Sequence, residues 1–484
     1  MKKIITLVLV FVMLFSIVAC AKTEDGKTNE NNNTNNVKEK VWDKKDYDFG
    51  GFDFVILGGA AGGVVYDRDG SDLDADSLTG NEVIDAVYNR NILIEETYNC
   101  TITHVESSTS FIQTTLLTGT DEDVSLISIK VNAQFSYIEQ GLLLDLYDPD
   151  LVNLNLKADW YNQNTLTDTT VNGKAFCVGG DMLFTDENST WMTLFNKELA
   201  NKYIPDVNLY DLVREGKWTI DKMSEYAAKA TVELVADDTW TYKDQWGYVG
   251  EAANYAAHMA GFGMRLAEVT PDGGIQLNMF SPEFQNAYNK VLDLFAKSQA
   301  ILAQDITSSD EGNGYSAADA AFHEGRALFE TTGMDRVIRF REMTTDFGII
   351  PNPKLTEEQE MYYTWTTHQS PLVSLPWFCT DKERTSAIME ALFEESSYNL
   401  KPAHQDRSLK YQGTRDDDSV EMLEIILANT VYDIGVVYNF GGTYSTLNSN
   451  ATNRGRGYAS TLKKLETSAN LAVQALLDTF NGTT

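Results

Sequence analysis

The sequence predicts an α/β protein that becomes more helical along its length, and three observations carry that reading. Two short apolar runs, "FDFVIL" (residues 52–57) and "VSLISI" (residues 124–129), have the form of strands buried in a parallel sheet. Between them, Val83, Val87, Ile94 and Tyr98 fall on one face at helical spacing, and "CTITHV" supplies an intervening strand. From about residue 195 onward, helical patterns with start signals dominate. The globular part, residues 47–480, has the length of about three domain-sized units.

The first element is not part of that body. Lys2 and Lys3 precede an apolar run over residues 4–19, shorter than the roughly 20 residues a bilayer-spanning helix needs. Small Ala19 follows, so the segment reads as a secretory signal. Its last four residues, "IVAC", resemble the lipobox of bacterial lipoproteins, which implies cleavage before Cys20 and a lipid on its thiol. The Asn-, Thr- and Lys-rich stretch 20–46 has the composition of a disordered tether.

Within the body, Thr79 with Glu82 suggests a capping box for the first helix, and Thr380 with Glu383 one for a helix through Ile388 and Leu392. Ser281 as cap and Pro282 at the first helical position open a helix with Phe284, Ala287, Tyr288, Val291 and Phe295 as its stripe. Met223, Tyr226, Ala227 and Ala230 make another stripe. The prolines of "FGIIPNP" stop any helix there, and "SPLVSLPWF" is a further apolar stretch. The C-terminal stripe runs Leu462, Leu465, Ala469, Ala472, Leu476.

Composition narrows the function. The net charge of −33 repels phosphates and anionic lipid heads, which disfavours nucleic-acid binding and any basic membrane-binding face. Besides Cys20 there are three distant cysteines, Cys100, Cys177 and Cys379, with no CxxC or Cys/His cluster. Three buried thiols are expected, one long-range bridge being the alternative. "GGAAGG" (residues 58–63) lacks nucleotide-fingerprint spacing and reads as a flexible rim loop. The Asp spacing of "DRDGSDLDAD" does not fit a calcium loop, so a solvated acidic loop is expected. "FHEGR" has Ala327 where a zinc peptidase would place its second His, and no nucleophile-elbow GxSxG occurs. No metal site and no cofactor is implied. Several Trp sit in polar company, in "KADWYNQN", "ENSTWMT", "DDTWTYKDQWGY" and "YYTWTTHQ". Such rings can offer a face to a sugar while neighbouring groups bond its hydroxyls.

An ordered series of segments resembles the carbohydrate-type extracellular solute-binding proteins of bacterial ABC importers. These are "TLFNKELANKY", "GKWTIDKMSEYAAKA", "FHEGRALFETTG", "FREMTTDFGIIPNPK" and "VSLPWFCTDKERTSAIMEALFEE", spread over about residues 50–400. The resemblance implies a two-lobed, type II Venus-flytrap fold. Lobe 1 would be residues 47–177 and 362–400, and lobe 2 residues 178–361, with crossings near 176–181 and 362–368. A helical C-terminal segment, 401–484, exceeds the family pattern. Ligand contacts carried over are the loops at 58–63, 129–132 and 330–333, with Asp181 and Trp191 before the "NK" strand. Glu330 and Thr332 follow "ALF", Trp365 flanks the hinge, and Tyr438 adds a late aromatic. No Trp stands in the "ALFETTG" turn, where sugar binders often have one.

The expectation is therefore a monomeric, lipid-anchored, extracytoplasmic protein. It would capture a small polar ligand, an oligosaccharide by preference, for an ABC permease, without catalysis. Rivals are a surface glycoside hydrolase and a lipid-anchored adhesion or polysaccharide-scaffold protein.

Overall fold

The computed structural model describes residues 40–59, 72–120, 123–234, 239–340, 343–411 and 417–482. The signal, Cys20, the tether to residue 39 and most of the glycine-rich and acidic loop at 60–71 lie outside these.

Among the described residues thirteen strands appear in chain order: β1 (Phe52–Gly59), β2 (Cys100–Ser107), β3 (Leu126–Lys130), β4 (Trp191–Asn196), β5 (Trp246–Gly250), β6 (Ala267–Val269), β7 (Ile275–Leu277), β8 (Ala300–Leu302), β9 (Ala327–Gly333), β10 (Phe347–Ile350), β11 (Thr364–Trp365), β12 (Pro371–Ser374) and β13 (Thr430–Val431). They build two principal sheets, ordered β12-β3-β1-β2 and β10-β4-β9-β5-β8. In the first, β1 lies parallel between β2 and β3, as its apolar run predicts, and β12 returns antiparallel beside β3. In the second, β5, β8 and β9 are parallel, while β4 runs antiparallel to both β9 and β10. The chain crosses from the first sheet to the second after β3 and back after β10. This is a two-lobed α/β fold.

The predicted helices form where their stripes placed them. Ser281 caps the helix Pro282–Leu294 by accepting from the Phe284 N–H, and Phe284, Ala287, Tyr288 and Val291 are buried. Two start signals move. Asn81, not Thr79, caps the helix Glu82–Tyr98, and Asp381, not Thr380, caps Lys382–Tyr398. In both, a short polar side chain nearer the helix was already in place to bond the first N–H groups. The expected tether also ends sooner. Trp42 is buried, packs edge-on against Tyr98 at 5.5 Å and donates its indole N–H to Glu395, which seats residues 40–46 on the body. Asp72 is not solvated either: it is buried and accepts from the Thr185 amide and hydroxyl. Cys100, Cys177 and Cys379 are buried thiols, with no disulfide among the described residues.

After β12 the chain is mainly helical. The helix Leu400–Tyr411 packs on the first lobe through Leu400, against Val83 and Val87. The helix Asp417–Ala428 packs on the second, with Leu423 and Ile426 among Leu194, Phe347 and Ile349. The last helix, Tyr458–Asn481, reaches both: Tyr458 and Leu462 join the core with Trp191 and Phe329, and Val473, Leu476 and Phe480 join that with Leu57 and Ile129. No helix among the described residues is long and apolar enough to cross a membrane.

One close approach fixes the second lobe. A Cβ on Gly247 in β5 would lie 1.9 Å from the Ala227 carbonyl oxygen in the helix Ile220–Ala230. Gly247→Ala is expected to push that helix off the sheet and lower stability by about 2–3 kcal/mol, read from a denaturant midpoint. An unchanged midpoint would show that the helix yields freely.

Candidate functional site

Three chain segments meet where the lobes join. Thr366 N–H bonds the Val431 carbonyl at 3.0 Å, Thr367 N–H bonds Ser189 at 3.1 Å, and Thr190 pairs antiparallel with Thr366. Asp186 ties all three, accepting from the Ser370 hydroxyl at 2.7 Å and from the Tyr432 hydroxyl. Burial pushes its carboxyl up to about 6, against the pull of those two hydrogen bonds.

The Thr190–Thr366 bridge sets the next cross-strand pair as Trp191 and Trp365. Opposed residues share a face and successive ones alternate, so both indoles project to one side and both threonines to the other. The ring centroids are 5.3 Å apart, tilted by 59°. The row continues through His368 at 6.3 Å from Trp365, Tyr444 at 5.5 Å from His368, and Tyr255 at 5.9 Å from Tyr444. Among the described residues neither indole N–H has a hydrogen-bond partner, nor does His368 Nδ1. Buried polar atoms are normally paired, so three in one buried row are unusual. Burial, then Lys130, pushes the His368 ring down to about 4, leaving it neutral at pH 7.

This row stands at the carboxyl ends of strands from both sheets, where open α/β sheets bind ligands. Val131 N–H bonds the Ser370 carbonyl at the end of β3, and Trp191 pairs with Gly333 at the end of β9.

The six residues expected from sequence fall into separate places. Trp191 and Trp365 come together. Glu330 and Thr332 oppose Leu194 and Met192, so they share the sheet face away from Trp191. Glu330 is buried there, and its carboxyl is raised by burial and by Asp319, with Arg336 opposing. Tyr438 packs edge-on against Phe135 at 4.3 Å and stacks on Phe440, in another core cluster. Asp181 lines a cavity on the threonine side of the hinge, in an ion pair with Lys401 at 2.7 Å. His368, Tyr444 and Tyr255 were not anticipated. His368 is only three residues from Trp365, and Tyr444 follows Tyr438 by six, but neither carries a spacing signal of its own. Trp240 and Trp246 pair at 5.1 Å in a groove at the far edge of the second lobe.

No family model matches the sequence, and no curated protein matches it. Solved structures do. The chain is similar to UgpB from Mycobacterium tuberculosis in complex with glycerophosphocholine, with TM-score 0.55 and 14% identity over 88% of this chain and 98% of that one. It is similar also to a cyclo/maltodextrin-binding protein complexed with maltotetraose, with TM-score 0.53 and 14% identity over 88% and 96%. The fold is that of an ABC solute-binding protein. An ABC substrate-binding protein from Listeria monocytogenes, in complex with cycloalternan, shares this solute-binding fold at TM-score 0.52 and 14% identity, over 89% and 99% of the two chains.

The hinge carboxylate gives a pH test. Asp186 holds its proton in the folded state between about 4, the unfolded value, and about 6. Its contribution to stability is complete below 4 and is lost as pH rises through 6. Asp186→Asn should therefore gain on the parent by on the order of 2–3 kcal/mol between pH 4 and pH 7, measured by denaturant unfolding at both. The buried histidines, His258 and His368, contribute the opposite slope equally to both proteins and cancel in the difference. Identical slopes would show that Asp186 ionises freely.

Proposed function

We propose that the chain is an extracytoplasmic solute-binding protein, anchored through a lipid on Cys20, which takes a small polar ligand, a sugar by preference, into the cleft between its lobes and delivers it to an ABC permease. Residues 47–177 and 362–400 are assigned to one lobe and 178–361 to the other, with 401–484 as a helical addition; the protein acts as a monomer and binds without transforming its ligand. The observation that carries the ligand class is the Trp191–Trp365 pair. Ring faces suit the C–H faces of a pyranose, and unpartnered indole N–H groups suit hydroxyl oxygens. Contacts from both lobes would favour the closed state by their differential affinity.

Two experiments test this. A binding screen of residues 21–484 against malto-oligosaccharides, glycerophosphocholine and peptides identifies the ligand by thermal shift, since ligand at 100 times Kd adds about 2.7 kcal/mol. With a hit in hand, Trp191→Phe and Trp365→Phe keep a ring but remove an N–H that no protein group uses. Each should weaken binding about ten-fold, and the smaller ring at these buried positions should also lower the melting temperature of the free protein. Loss of melting temperature at unchanged affinity would reassign the pair to packing.

The anchor is tested separately. Cys20→Ala should release the protein from membranes or leave its leader uncleaved. A variant processed and retained like the parent, with no lipid by mass spectrometry, would overturn the anchoring.

A further inference from the structure

Behind the hinge, on the face opposite the tryptophan pair, lies a cavity of about 590 Å³. Its position follows from strand alternation: Thr190 and Thr366 line it, and their neighbours Trp191 and Trp365 point away. Its walls come from different bodies. Asp181, Asp186 and Glu187 belong to the first crossing, and Lys401 to the helix seated on the first lobe. The facing wall is the helix Asp417–Ala428, seated on the second lobe and presenting Leu423, Leu427 and Glu424. The same helix is fastened to that lobe by the ion pair of Glu421 with Arg214 at 2.6 Å and by Ser419 with Tyr210 at 2.9 Å.

The chemistry of the walls is one-sided. Five carboxylates line the cavity (Asp159, Asp181, Asp186, Glu187 and Glu424), and Lys401 is the cationic residue among the lining. Lys401 pairs with Asp181, and His404 meets Glu187 at 3.0 Å, so part of that charge is met within the protein. An independent observation points inward: the hydroxyl of Thr366, a residue 2% exposed that lines the cavity, has no hydrogen-bond partner among the described residues. Among the described residues no group of His, Cys, Asp and Glu is arranged to hold a metal ion. The opposite wall is aliphatic apart from Glu424, and a metal would not use its leucines.

We propose that this cavity is a second binding site, for a small organic ammonium ion with an aliphatic stem. The ammonium would donate to the Thr366 hydroxyl and lie in the field of the acidic wall, with its stem against Leu423 and Leu427. Because carboxylates of both walls attract it, its occupancy draws the back of the hinge together. That consequence for the cleft rests on the proposed hinge closure; the binding itself does not.

The test is calorimetry of residues 21–484 with hexylammonium, and with hexanol and hexanoate as controls. Hexylammonium should bind, hexanol much more weakly and hexanoate not at all. Thr366→Val should weaken it about five-fold without lowering the melting temperature, because it removes a hydroxyl that no protein group uses. Glu424→Gln should weaken it about three- to five-fold, and Leu427→Trp, which fills the cavity, more than ten-fold. Equal binding of the three probes, or hexylammonium binding unmoved by Leu427→Trp, would overturn the site. A melting temperature lowered by Thr366→Val at unchanged hexylammonium affinity would make that hydroxyl structural and overturn it too. None of these readouts uses the cleft ligand, so failure here leaves the cleft assignment standing and the reverse.

Discussion

The structure depends on one buried carboxylate. Asp186 stands where the chain first leaves the β1 sheet, and it accepts from Ser370 on the return crossing and from Tyr432 on the third segment. Without it, the first crossing would be held to β11 and β13, which pair with each other as a two-stranded sheet, by only a few main-chain bonds. A carboxylate can accept from several donors at once, which a neutral hydroxyl or amide does less well. The burial that makes the joint rigid is also what raises the proton affinity of the group.

A second constraint is geometric. The joint is a narrow ribbon, with Thr190–Trp191 on one side of Thr364–Thr366 and Thr430–Val431 on the other, and alternation decides what each of its two faces carries. Here one face bears indoles and the other threonines, so a single bridge, Thr190 with Thr366, assigns an aromatic surface to one side of the joint and a polar, acid-lined cavity to the other. Neither could be moved by one residue without exchanging the two surfaces. Five carboxylates thus lie on one side of the joint, while the aromatic row on the other includes a histidine kept neutral by burial.

Helices with a clear stripe and a capping residue were legible in the sequence, as the helix opened by Ser281 illustrates, because both signals are local. So were β1 and β3, whose apolar runs declare a buried parallel sheet. Cap positions were less so, since Thr79 and Asn81 both offer an oxygen and only the backbone course chooses between them. The site was legible in part. Trp191 and Trp365 stood out by their polar company, but their pairing is a register between segments 174 residues apart, which no local pattern encodes. Glu330 was expected at the ligand from the resemblance of its turn; its cross-strand partner Leu194 puts it on the sheet face away from Trp191 instead. Trp42 fell in a stretch whose composition is a tether's, and one buried ring outweighed that average.

The last helix has a consequence for how the two sheets can turn against each other. It is a rod of 24 residues, about 36 Å long at 1.5 Å per residue, with one end seated in each core. Side chains on such a rod sit between ridges of their neighbours, and close-packed ridges do not deform continuously. Any rotation of one lobe must therefore carry Tyr458 and Leu462, or Val473 and Phe480, from one groove to the next. Under the proposed hinge closure the rod would act as a detent, allowing a few discrete angles between the lobes and resisting those in between.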